Sequence, residues 1–297
     1  MPDIEMRFNR DMLVISAETN QSFIDQGVLP EKDKAFLNLI EPDTIKEILR
    51  LENMSGAQCL VANTAEATRA RLRHVGLEQQ AQGIIHAAIE IAQSLVPQHL
   101  LVEVGPCGLP LDPTSKTSLR ANFSEYEDFA RNVRDESFDA LFLNGFRRID
   151  DLRCALMGVR KCYDGPVIAS VVVDDQAHVD GKEQETLSQA CSLMAEYGAD
   201  VIGFETKAGP EYLKDIVREA AESVELPILS QLDVISYNPK AYFASKENPY
   251  YSPDCMCEAV RILHNEGVQF LRAGGACRPS YTGALVASSI GTLVKGH

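Results

Sequence analysis

PVIASVVVDDQAHVDGKEQETLSQACSLMAEYGADVIGFETKAGP, residues 166 to 210, contains one structural unit and the start of the next. Pro166 to Val173 is a nearly unbroken apolar run of strand length, and Asp200 to Phe204 is a second. Between them, Glu183 to Tyr197 spaces its apolar residues at helical intervals, and Pro210 marks the first turn of another helix. Two such strands joined by a helix form the βαβ unit of a parallel sheet, whose strands are covered on both faces.

The same rhythm extends in both directions. Upstream, the apolar runs are Met12 to Ile15, Gln58 to Ala62, His99 to Val104 and Ala140 to Leu143. They alternate with helical patterns at Pro42 to Asn53, Ala65 to Leu95, Tyr126 to Val133 and Ile149 to Lys161. Downstream come Pro227 to Gln231, a helix over Asp254 to Asn265, Val268 to Leu271 and a last helix over Tyr281 to Leu293. Eight strand-helix units in order predict a TIM (β/α)8 barrel, a single domain over residues 1–297. The alternative is a doubly wound open sheet, which has fewer units and a glycine-rich first turn. Ser16-Ala17-Glu18-Thr19-Asn20 lacks that turn.

With 45% hydrophobic residues the chain has enough for a large core. Its net charge of -15 argues against nucleic acid and anionic membranes as partners. The first residues, MPDIEMRFNRD, have no signal-peptide core, and no stretch is long and apolar enough for a membrane span. Eight scattered cysteines without a CxxC pair fit free thiols in a reducing cytoplasm.

Barrel enzymes carry their chemistry at the carboxyl ends of the strands. These ends offer Glu18, then Asn63 and Thr64, Glu103 and Cys107, Asn144, Glu205 and Thr206, Asp233, and Cys277. Four carboxylates and two thiols therefore face one mouth. Arg278, at the start of the last helix, suits either an anionic substrate group or a surface ion pair. The six histidines fall away from the strand ends, and Cys255 and Cys257 straddle a helix start, where packing is their expected role.

Four segments carry a resemblance: NTAEATRARLRHVGLE (63 to 78), EVGPCGLPLDP (103 to 113), GADVIGFETKAGPEYL (198 to 213) and GVQFLRAGGACRPS (267 to 280). In order and spacing they are similar to the homocysteine S-methyltransferase family. The resemblance implies a barrel in which three cysteine thiolates hold zinc, one after the sixth strand and two after a Gly-Gly pair at the eighth. Zinc binds the substrate thiol and lowers its pKa, so a thiolate can take a methyl group at neutral pH. Here the first position is Thr206, and of the adjacent pair Ala276 replaces one cysteine and Cys277 remains. The acid that would hold the homocysteine amino group is Asn144, and the Asp-Gly loop after the first strand is Ser16-Ala17-Glu18-Thr19.

Three readings of this altered site follow. The first keeps a metal, with Cys277 and Glu205 as zinc ligands and Asp233 and Glu18 as further oxygen donors; its bland counterpart pairs Glu205 with Lys207 or Arg272. The second is a methyltransferase without standard homocysteine chemistry, which moves a methyl group between a small methylated compound and a thiol, or a corrinoid on a partner protein. Glu205, Asp233 and Cys277 are its catalytic candidates, while Glu18, Asn63, Thr64, Glu103, Asn144, Thr206 and Arg278 are its substrate-binding candidates. Tyr237, Tyr242, Phe243, Tyr250 and Tyr251 would either wall a cationic substrate or pack their own loop. The third reading is a non-catalytic barrel that binds a ligand or partner.

Overall fold

The computed structural model describes residues 3–28, 34–237, 240 and 244–294. Its strands are β1 (Leu13–Val14), β2 (Cys59–Ala62), β3 (His99–Val104), β4 (Ala140–Phe146), β5 (Val167–Val173), β6 (Val201–Thr206), β7 (Ile228–Val234) and β8 (Phe270–Gly275). The helices α1 (Asn20–Asp25), α2 (Leu37–Ile40) and α3 (Pro42–Met54) lie between β1 and β2, and α4 (Arg69–Arg73) and α5 (Ala81–Gln93) precede β3. Single helices follow the later strands: α6 (Lys116–Val133), α7 (Ile149–Arg160), α8 (Leu187–Glu196), α9 (Pro210–Ser223), α10 (Met256–Asn265) and α11 (Pro279–Ser289). Among the described residues, no helix is long and apolar enough to cross a membrane.

All strand pairs are parallel, in the order β1-β8-β7-β6-β5-β4-β3-β2. The seam between β1 and β2 is joined by a parallel bridge of Ile15 with Cys59. Side chains extend this short contact: Gln58 Oε1 accepts from the Val14 N–H at 2.8 Å and Ser16 Oγ from the Val61 N–H at 3.0 Å. The ring is a nearly closed TIM-type barrel with helices between its strands, and the open-sheet alternative is excluded.

Local chemistry explains the helix boundaries. Pro42, Pro210 and Pro279 each occupy a first turn, where their missing N–H costs nothing, and α8 begins with a capping box of Thr186 and Gln189. The expected periodic segment Ala65 to Leu95 is broken into α4, a short 3-10 turn at Glu78–Gln80 and α5. Gly76 makes the break with a φ of +72°, a left-handed conformation that suits glycine. Helix α6 starts at Lys116, ahead of the expected Tyr126, because Ser115 caps it while its first turns are too polar to show periodicity.

Four strands run past the ends of their apolar runs. Strand β4 reaches Phe146, β6 reaches Thr206, β7 reaches Val234 and β8 reaches Gly275. The cause lies in the barrel interior, where every second residue points inward. The lower interior is apolar, built from Leu13, Ile15, Val61, Leu101, Phe142, Ile168, Val201, Leu229 and Phe270, and Ile4 closes it from below. Further along the same period-two rows the inward residues become Glu103, Asn144, Ser170, Glu205, Gln231, Asp233 and Arg272, all buried. The opposite faces of the strands pack with the helices in the larger apolar cluster.

Candidate active site

The upper barrel interior is a belt of hydrogen bonds. Ser170 Oγ donates to Asn144 Oδ1 at 2.7 Å, and Asn144 Nδ2 donates to Glu103 Oε1 at 2.8 Å. Arg272 grips Glu103 with both terminal nitrogens, at 3.2 and 3.0 Å, and donates to Gln231 Oε1 at 3.2 Å. Its Nε donates to the Ser16 carbonyl at 3.0 Å, and its guanidinium lies 5.0 Å from the Phe142 ring centre. Gln231 Nε2 then reaches Glu18 Oε1 at 3.4 Å, and the Gly275 N–H donates to Glu18 Oε2 at 2.9 Å. Five strands and the β1 loop are thus tied together at one level. A buried ion pair of this kind is tolerated because its geometry is bidentate and its remaining polar atoms are also bonded.

Glu18, Glu205 and Asp233 form the acidic part of the mouth. Loss of water, then repulsion from Asp233, raises the Glu205 carboxyl well above the usual range, and the side-chain hydrogen bond between the two acts in the same direction. Loss of water, then the charge of Glu18, pushes Asp233 up to about 6, although its bond with Glu205 pulls the other way. This is the pattern of a carboxyl donating its proton to a carboxylate. Glu18 is raised to about 7, by loss of water first and by Glu205 second. Asp233 Oδ1 is buried and makes no hydrogen bond among the described residues. Arg272 is committed to Glu103, and the charge of Arg147 also acts on Glu205 and, with that of Lys207, on Asp233.

The Gly-Gly pair of β8 makes room for this arrangement. A side chain at Gly274 would run into Asp233 Oδ1 and the Gln231 amide, and one at Gly275 would run into the Val234 carbonyl. Gly275 also has a φ of +67°, so its conformation and its neighbours both exclude a larger residue.

The donor set does not fit a three-thiolate zinc site. Ala276 has no donor atom. Thr206 Oγ1 accepts the Ala208 N–H at 3.1 Å. The Cys277 thiol is fully buried and points at the backbone carbonyls of Glu18 and Ala273, at 3.3 and 3.5 Å. Burial, then the charges of Glu18 and Glu52, push its pKa well above the usual thiol value, so Cys277 is a neutral thiol. Among the described residues, no group of three or more His, Cys, Asp or Glu side chains is placed to hold a metal ion. The structure does not bring the expected metal pair together: Cys277 turns to backbone carbonyls and Glu205 to Asp233. The expected pairing of Glu205 with Arg272 is corrected too, because Glu103 takes that arginine.

The remaining candidates separate. Thr64 donates to the Glu103 carbonyl at 2.7 Å and braces β3, while Asn63 bonds to Asn38 and to the Lys34 carbonyl at the mouth. Arg278 pairs with Asp25 at 2.8 Å and lies 4.9 Å from the Tyr237 ring centre, so it occupies the aromatic face expected for a substrate. Tyr250 packs the loop, its hydroxyl on the Ala208 carbonyl at 2.8 Å, and Tyr242 and Phe243 lie outside the described residues. Cys107 is buried and bonds to Asn122. Sequence reasoning missed Ser170, Gln231 and Arg272 as site members. Following the period-two rows would have found all three, Ser170 and Gln231 within their apolar runs and Arg272 just past its own.

Two cavities open at this end of the barrel, and of the three acids only Glu18 lines either of them. One of about 370 Å³ lies over β5, β6 and β7, with Arg147, Val172, Thr206, Lys207, Tyr212 and Ile235 in its wall. The other, about 110 Å³, lies beside Glu18 over β1, β2, β3 and β8.

Known structures share the architecture. The homocysteine methyltransferase MmuM from Escherichia coli, in its metallated form, superposes with a TM-score of 0.76 at 16% identity over 94% of this chain and 96% of that one. The carboxyl transferase domain of Rhizobium etli pyruvate carboxylase superposes with a TM-score of 0.52 at 14% identity, over 91% of this chain and 41% of that one. At these identities the likeness shows the barrel alone. No curated protein sequence matches the chain. The family model described as homocysteine S-methyltransferase matches residues 15–282, from the end of β1 into α11. With altered residues at the zinc positions and the barrel retained, the chain belongs to the homocysteine S-methyltransferase family.

Proposed function

We propose that this protein is a methyltransferase that moves a methyl group from a small methylated onium compound to a thiol, without a three-thiolate zinc centre. The family supports the reaction class. The observation that carries the donor is the acidic group itself: Glu18, Glu205 and Asp233 converge at the mouth, the buried Arg272 is spent on Glu103, and Asp233 keeps one buried oxygen unpartnered among the described residues. A sulfonium or quaternary ammonium ion is the complementary guest, and in a dry pocket that attraction is several-fold stronger than in water. A corrinoid on a separate protein is the other acceptor compatible with the family's chemistry, but the small second cavity favours a thiol.

In the transfer the thiol S–H bond breaks and its proton passes to a mouth carboxylate. The new S–CH3 bond forms as the bond from the methyl carbon to the onium atom breaks, and that electron pair returns to the onium atom. Asp233 and Glu18, with pKa values of about 6 and 7, are suited to receive the proton near neutrality. Cys277 supports the floor as a buried neutral thiol and carries no methyl group.

The test is transfer of a labelled methyl group from dimethylsulfonio- and trimethylammonio-carboxylates to a panel of small thiols. Wild-type protein is expected to turn over at least one pair, and Asp233→Asn to lower kcat by about 100-fold or more, the scale of a lost acid–base group. Donor binding without any transfer would instead leave a ligand-binding barrel.

A further inference from the structure

The 110 Å³ cavity is lined by Glu18, Lys34, Asn63, Glu66, Glu103 and Arg272, together with Phe23. Most of these groups already have hydrogen bonds. Glu103 and Arg272 hold each other, Glu18 accepts from Gly275 and Gln231, and Glu66 accepts from the Lys34 backbone N–H at 2.5 Å. Asn63 donates to Asn38 Oδ1 at 3.0 Å and to the Lys34 carbonyl at 3.1 Å.

Lys34 differs from the others. Its side chain is only 9% exposed, yet its ammonium comes no nearer than 3.9 Å to a Glu66 carboxylate oxygen and lies 6.0 Å from the Phe23 ring centre. Among the described residues it makes no side-chain hydrogen bond. A cation so far removed from water is costly unless something in the cavity bonds to it. Glu18 and Glu103 are engaged by other donors, and Glu66 stands at ion-pair distance with its second oxygen on the Lys34 backbone N–H, so the unmade hydrogen bonds of the ammonium are the open valence of this cavity. Asn144, at the position where the family resemblance places an amine-binding acid, is neutral, with one amide atom on Glu103 and the other on Ser170.

We propose that Lys34 anchors the carboxylate of the acceptor, and that the acceptor is a short thiol acid without an amino group. This rests on the methyl-transfer reading for the word acceptor, but the anion anchor stands on the cavity alone. The carboxylate would sit on Lys34, with Asn63 beside it, and the short chain would run towards Glu18 and the acidic group.

The experiment is calorimetric binding of 3-mercaptopropionate, its methyl ester and cysteamine to wild type, Lys34→Gln and Lys34→Arg. The acid is expected to bind wild type at least about tenfold more tightly than the ester or cysteamine, as one charge-assisted hydrogen bond supplies. Lys34→Gln should remove that preference and Lys34→Arg keep most of it. Equal binding of acid and ester by wild type, or tighter binding of cysteamine, overturns the anchor, and that comparison decides even if Lys34→Gln fails to fold. A Lys34-dependent acid preference without methyl transfer from any onium donor would retain the anchor and remove the transferase reading. Transfer to thiols with no preference for the acid would do the reverse.

Discussion

Asp233 concentrates the energetic cost of the site in one side chain. It is 5% exposed, it lies beside Glu205 and Glu18, and one of its oxygens has no hydrogen bond among the described residues. Its folded pKa of about 6 lies above the ordinary 3.8. The native state therefore holds a proton that the unfolded chain releases. The stability linked to this group is complete below about pH 4 and is lost as pH rises through 6, with an upper bound of roughly 3 kcal/mol. Glu18, raised from 4.5 to about 7, extends the decline to neutrality. Asp233→Asn cannot ionise, so thermal unfolding should show it more stable than wild type at pH 8, by about 1–3 kcal/mol, with the difference vanishing near pH 4. A variant that loses stability between pH 4 and 7 as steeply as wild type would show that Asp233 is not held protonated by its surroundings. Higher stability with lower activity is the expected trade at a strained functional residue.

Strand β8 carries both the belt and the backbone that makes room for the acids. Arg272 reaches Glu103 on β3, Gln231 on β7 and the Ser16 carbonyl after β1, so one side chain spans the top of the barrel. Arg272→Met would leave Glu103 buried without its cation, at a cost of about 3–5 kcal/mol. Adding Glu103→Gln removes the stranded charge, and the double variant should recover more than half of that loss in a denaturant-unfolding cycle. If the two losses simply add, the pair is not coupled and the belt does not hold the mouth together. The elements show what the sequence could convey. Every strand was visible as an apolar run, since each crosses the apolar lower barrel. The strand ends were not, because β4, β6, β7 and β8 change from apolar to polar inside the sheet, at Asn144, Glu205, Gln231 and Arg272. A polar residue that bonds to another polar residue across the barrel looks, in a single sequence, like the start of a loop. The acids at the mouth were legible as strand-end residues, but their partners were not: Arg272 read as a match for Glu205, whereas the fold gives it to Glu103.

The whole molecule keeps a family barrel while changing what its mouth offers. Below the belt, the apolar interior and the helix layer account for the fold and for its likeness to the homocysteine methyltransferase MmuM. Above it, the positions the resemblance assigns to zinc hold Thr206, Ala276 and a buried neutral Cys277, and the ionisable side chains at the mouth include Glu18, Glu205, Asp233 and Lys34. Methyl transfer here would draw on carboxylates that attract an onium donor and take up the thiol proton, in place of a metal that lowers the thiol pKa. The most direct measurement is labelled methyl transfer from an onium donor to a thiol acid, by protein of known metal content, before and after exhaustive chelation. The account predicts transfer that survives chelation and falls steeply in Asp233→Asn. Transfer that disappears on chelation and returns with added zinc would contradict it.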